Sequence, residues 1–123
     1  MGLPLFVVDA FTDRAFGGNP AGVVMLKGKT WPEGAWMQAV AAEMKHAETA
    51  FLLPGKEAFG LRWFTPAKEV PLCGHATLAS AHVLWTQDYL SPRRPALFDT
   101  KSGRLTCTLG RDGITMDFKY TKR

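Results

Sequence analysis

Apolar residues in this chain come mostly in short alternating or continuous blocks, which is the signature of strands. The first block, Leu3-Pro4-Leu5-Phe6-Val7-Val8-Asp9-Ala10-Phe11, is rich in β-branched and aromatic residues. It predicts a strand with Pro4 at its start. Residues 12–19 are polar and lead into Gly17-Gly18-Asn19-Pro20, a strong turn signal. A second apolar strand is expected over Ala21–Leu26. Thr30 and Glu33 have the Thr-x-x-Glu spacing of a capping box. Trp36, Val40 and Met44 then recur at i, i+4 and i+8 and predict an amphipathic helix ending near Lys45-His46.

Strand character returns over Thr49–Leu53, closed by Pro54-Gly55. Phe59, Leu61 and Trp63 then alternate with Gly60 and Arg62 until Thr65-Pro66. Two further strands are expected at Ala96–Thr100 and Leu105–Leu109, with Leu105, Cys107 and Leu109 on one core face. Asp112-Gly113 signals a hairpin into a last strand carrying Ile114, Met116 and Phe118 at period two.

One segment breaks the strand pattern. From Cys73 to Trp85 there is no charged residue, and Ala76, Ala79, Ser80 and Ala81 are small. A helix over about 76–86 that is apolar or small all round is expected to be buried on every side. Strands outnumber helices and do not alternate with them. The expected fold class is therefore α+β, with mainly antiparallel or mixed strands wrapped around this central helix.

Composition adds bounds. The 123 residues fit one domain, and 46% hydrophobic with 21% charged residues is enough apolar content for a real core. No apolar run is long enough to span a bilayer, so no membrane role is expected. The formal charge of +4 first suggests an acidic partner. Three of the 15 basic residues, however, lie in 119–123, and without that segment 12 Lys and Arg face 11 Asp and Glu. The remaining cations are scattered singly rather than gathered into the patch that nucleic acid requires, so nucleic-acid binding is not expected. Two cysteines, neither in a Cys-x-x-Cys pair, and an N-terminus with no secretory pattern read as a reduced, cytoplasmic protein. The spacing of His46, His75 and His82 matches no metal motif.

Candidate chemistry gathers at the start of the long helix. The first-turn N–H groups of a helix have no intrahelical partner and carry the positive end of the dipole. A first turn reading Gly74-His75-Ala76-Thr77 is either a cradle for a carboxylate or phosphate or an ordinary helix start against a loop. His75 is a cap or a substrate contact; His82, deeper in the helix, reads as a core histidine. Cys73 is a buried small residue or, with the lowered pKa expected at a helix N-terminus, a base or nucleophile. Cys107 reads as core. Glu48 opens an apolar strand, where partial desolvation favours acid/base work, although a strand-end surface Glu is the plain alternative. Glu43 and Glu69 read as solvated. Asn19 either makes a turn or offers an amide to a ligand.

Five blocks in order resemble the phenazine-biosynthesis-like isomerases (PhzF type). They are Val8-Asp9-Ala10-Phe11-Thr12, residues 17–24 (Gly-Gly-Asn-Pro-Ala-Gly-Val-Val), Glu48-Thr49-Ala50-Phe51, Trp63-Phe64-Thr65-Pro66, and residues 72–79 (Leu-Cys-Gly-His-Ala-Thr-Leu-Ala). The resemblance implies a diaminopimelate epimerase-like fold. In that fold two similar lobes each wrap strands around a helix, and the active site lies between the helix N-termini. It implies Glu48 as the acid/base residue moving a proton on a small carboxylate substrate, with no cofactor and no metal. It also implies Asn19, Gly74, His75, Ala76 and Thr77 as substrate-binding positions. In the related racemases a cysteine beside this helix is a base, which makes Cys73 the alternative catalytic residue of a two-base epimerase.

The match departs from the family at Lys45-His46-Ala47 and Pro71, and the text after Phe118 does not resemble the usual continuation. Residues 1–118 are thus expected to form the N-terminal lobe and 119–123 a basic tail. The complete site is expected to need a second lobe, supplied by a longer chain or by a homodimer. A non-catalytic lobe that associates with itself is the other reading.

Overall fold

The strand-rich pattern folds, in the computed structural model, into one mixed eight-stranded sheet with a helix on each face. The structure describes residues 3–8, 20–45, 47–111 and 113–119. The elements in order are β1 (Leu5–Val8), β2 (Ala21–Met25), α1 (Gly34–Glu43), β3 (Glu48–Pro54), β4 (Phe59–Phe64), β5 (Glu69–Val70), α2 (Gly74–Thr86), β6 (Ala96–Thr100), β7 (Gly103–Gly110) and β8 (Gly113–Lys119). The strands lie in the order β1-β2-β3-β4-β6-β7-β8, with β5 also paired to β4. Neighbours are antiparallel except β2–β3 and β4–β6.

The parallel β2–β3 pair needs a crossover, and α1 provides it. A helix therefore lies in the connection of both parallel pairs, α1 between β2 and β3 and α2 between β4 and β6, contrary to the expectation from the sequence. Both faces of β2 are covered as a result, and all five of its residues are buried. Ala21, Val23 and Met25 join Ala50 and Leu52 of β3 in the core under α2. Val24 and Phe51 point the other way and pack with Met37 and Ala41 of α1.

Two details of α1 correct the sequence reading. Its buried residues are Met37 and Ala41, whereas Trp36 stays 41% exposed. The buried face is centred on Met37 and Ala41, and of the expected stripe Val40 still packs against that cluster and Met44 is half-buried. Trp36 instead lays its ring edge-on to Phe51 at 6.2 Å. There is no capping box either. Glu33, not Thr30, is the N-cap, and its carbonyl accepts the N–H groups of Trp36 and Met37 without any side-chain cap.

In α2, eight of thirteen residues are buried. The burial is not all-round: His75, Leu78 and His82 form a half-buried stripe and Thr86 is exposed. The helix packs on β1, β2 and β3, and the half-buried stripe includes Leu78 against the main core and His82 facing β1. In the last hairpin Leu105 and Cys107 are fully buried as expected, but Leu109 is 44% exposed, because the hairpin tip runs past the core. Gly110 pairs with Gly113, whose φ of +125° is open to glycine and strained for other residues. Asp112 lies outside the described residues.

Glu69 is not simply solvated. Arg62 donates to both of its carboxylate oxygens at 2.8 Å, and Lys101 reaches it at 3.4 Å. These bonds hold the Glu69 carboxyl below its ordinary range against the opposing effect of burial. The Arg62 guanidinium also lies 5.2 Å from the Trp31 ring centre. Gly60 makes room for that indole, since a Cβ there would stand 2.8 Å from it.

Candidate active site at the start of the second helix

Glu48 opens β3 and Cys73 caps α2, with Gly74, His75 and Ala76 following in the first turn of that helix. Side chains alternate along a strand, so Glu48 shares its face with Ala50 and Leu52, both packed in the core with α2. Glu48 is half-buried at the first position of β3, beside Ala21 of β2. Cys73 is the N-cap of α2 in extended conformation and is likewise half-buried. The two groups are near enough that the Glu48 charge acts on the Cys73 thiol.

A chain of hydrogen bonds fixes this end of α2. Trp63 of β4 sits opposite Ala50 in the sheet register and is 2% exposed. Its indole N–H donates to Thr77 Oγ1 at 3.0 Å. The Thr77 hydroxyl donates in turn to the Cys73 carbonyl at 2.8 Å. The Thr77 backbone N–H donates to that same carbonyl at 3.0 Å. Thr77 is fully buried and its donors are committed inside the fold, so the structure gives it a different task from the substrate contact expected of it. The N–H groups of His75 and Ala76 face the Cys73 thiol, and with that of Gly74 they belong to the first turn, ahead of the intrahelical ladder.

Cys73 also differs from expectation. A helix N-terminus alone lowers a thiol pKa. Here burial is the largest effect and raises it, with the Glu48 charge adding to the rise. The N–H groups of Ala76 and His75 oppose both without reversing them. Cys73 is therefore held as a neutral thiol near neutral pH. Cys107 is pushed up to about 11 by burial.

The remaining expected residues separate. Asn19 lies outside the described residues. His75 is half-buried in the first turn. His82 is half-buried and lines, with Phe6, Val8 and Val83, a cavity of about 620 Å³ between β1 and the far half of α2. None of the described residues that line it forms an acid/base pair. Among the described residues no group of three His, Cys, Asp or Glu is placed to hold a metal ion. Nor is any described helix long and apolar enough to cross a membrane.

Two residues were not singled out by sequence reasoning. Trp63 was read as one of the alternating strand residues and as part of a family block, yet a buried indole N–H needs a partner, and that need was a usable signal. Met116 of β8 is 38% exposed and brings its methyl within 3.5 Å of where a Cβ on Gly74 would stand. No local pattern announces that approach.

Comparison with known proteins decides the family. The sequence profile of the phenazine biosynthesis-like proteins, PhzC-PhzF, matches residues 8–120. This chain belongs to that family. An uncharacterized isomerase of Halalkalibacterium halodurans is 54% identical over 118 residues, covering 96% of this chain and 44% of the relative. The crystal structure of a PhzF-family phenazine biosynthesis protein from Enterococcus faecalis superimposes with a TM-score of 0.79 at 41% identity. That match covers 90% of this chain and 42% of the other. A probable proline racemase from Agrobacterium radiobacter shares the fold at a TM-score of 0.62 and 13% identity, covering 94% of this chain and 41% of that one. The chain thus spans less than half the length of the PhzF relatives it matches.

Proposed function

We propose that this chain is the lobe of a PhzF-type isomerase that carries the proton-moving carboxylate. Glu48 takes a proton from a carbon of a small carboxylate substrate and returns it to another. The N–H groups of Gly74, His75 and Ala76 hold the substrate carboxylate at the positive end of α2, with His75 and Asn19 as further contacts. The chemistry needs no cofactor or metal. The lobe is of the diaminopimelate epimerase kind, with α2 as its central helix. A second lobe, from a longer chain or a second copy, closes the site in the cytoplasm. The observation that supports this reading is that Glu48 opens β3 on the face that packs with α2, and its charge acts on the Cys73 cap of that helix. The isomerase names of the family relatives support the reaction class.

The test is hydrogen exchange at carbon. The protein is incubated in deuterium oxide with a panel of amino and aromatic carboxylates, and label is read by mass spectrometry. Label is expected in at least one substrate. Glu48→Gln is expected to lose roughly 100-fold or more in rate, the usual worth of a positioned acid/base group, with an unchanged circular dichroism spectrum. Equal labelling by wild type and Glu48→Gln rules out Glu48 as the base.

A second reading has one observation in its favour, the closeness of the Cys73 thiol to Glu48. In a two-base epimerase the neutral thiol would deliver a proton after the carboxylate removed one. Cys73→Ser then loses exchange as fully as Glu48→Gln does, whereas in the first reading it retains most of it.

A further inference from the structure

Ser80 and Thr86 of α2 each return a hydroxyl hydrogen bond to the carbonyl four residues earlier, at 2.8 Å in both cases. Such bonds are common in helices and ordinarily carry no message. Thr77 makes the same bond to Cys73, but its oxygen also accepts from another element, the Trp63 indole of β4. The link therefore runs from the sheet, through two fully or nearly buried side chains, to the carbonyl of the residue that caps α2. It lands beside β3, because Trp63 is the register partner of Ala50, two residues and one same-face step from Glu48.

We infer that Trp63 and Thr77 are positioning residues: their relay fixes the Cys73 cap, and with it the open first turn of α2, at a set place relative to Glu48. This deepens the proposed function and rests on it for its catalytic meaning, but the geometry it asserts is measurable without a substrate. Gly74 has no side chain, and the Ala76 methyl can pack but cannot fix an orientation. A threonine that served only as packing would be matched by valine, which has the same shape. A threonine that serves as a relay is matched by serine, which keeps the hydroxyl and loses the methyl.

That contrast supplies the test, with the Cys73 thiol as the reporter. Its half-buried state is a direct consequence of where the cap sits, and Cys107, fully buried, is the internal reference. The full chain is alkylated with iodoacetamide at pH 8, and labelling of each cysteine is followed by peptide mass spectrometry. Thr77→Val is expected to speed Cys73 labelling roughly fivefold, the factor one net buried hydrogen bond commands, with Cys107 labelling unchanged. Thr77→Ser is expected to behave as wild type. Trp63→Phe keeps the ring and the Thr77–Cys73 bond but removes the indole donor, and is expected to fall between. It decides the matter should Thr77→Val not fold. The reverse order, with valine like wild type and serine fast, assigns Thr77 to packing and overturns the relay. So does Cys73 labelling that is unaltered in both Thr77→Val and Trp63→Phe. Because the readout involves no turnover, loss of the Glu48 reading through the exchange experiment leaves this result standing, and the converse also holds.

Discussion

At the scale of single residues, the two cysteines show how far surroundings override residue type. Burial raises the Cys107 thiol pKa from the ordinary 9.0 to about 11. A folded-state pKa above the unfolded one means that the unfolded chain loses its proton first as pH rises. The stabilising effect is complete below about pH 9 and is lost between about 9 and 11. Urea denaturation of the wild type across that window is expected to show falling stability. Cys107→Ala should be less stable at neutral pH, by about 1–2 kcal/mol for the small volume lost, yet show a shallower alkaline decline. Equal slopes for the two proteins would mean that Cys107 does not titrate in this window. Cys73 shows the limit of reading a helix terminus as an electrostatic device. The dipole is present, but burial outweighs it.

At the scale of elements, the strands were legible because their alternation is a local property. The observed β6 has the expected bounds, and β3 and β7 run only slightly beyond theirs. The buried face of α1 was not legible. The stripe Trp36, Val40 and Met44 is as apolar as the true one, and only the shape of the sheet surface selects Met37 and Ala41. Met37→Ala is accordingly expected to cost about 2–5 kcal/mol in denaturant unfolding. Trp36→Ala should cost markedly less despite its greater volume. A larger loss at Trp36 would restore the sequence-derived face. The start of α2 was legible as a place, from Gly74 and the uncharged run behind it. The inward commitment of Thr77 was not, because it depends on Trp63, which lies 14 residues away in sequence.

At the scale of the whole molecule, the family and the general α+β sheet architecture follow from five short blocks in order, and the structural superpositions agree. Charge had no part in this. The basic excess lies largely in residues 119–123, at the margin of the matched region. The sheet itself is uneven. β3 and β4 share six register pairs and β7 and β8 share seven, but β4 and β6 meet at only two, Phe59 with Phe98 and Gly60 with Asp99. That joint closes the excursion that carries β5 and α2, and it is held by Phe98, Leu105 and Cys107 packing in the common core more than by backbone bonds. The sheet thus has a seam at β4–β6 where backbone pairing is sparse. Native-state amide exchange is expected to show the amides of β6, β7 and β8 opening together as one cooperative unit, at lower free energy than those of β2, β3 and β4. Uniform protection across both groups would mean that the seam does not open. Since Met116 travels with the β6–β8 unit while Glu48 stays with the other, each such opening would unroof the first turn of α2 and leave its proton-moving carboxylate in place.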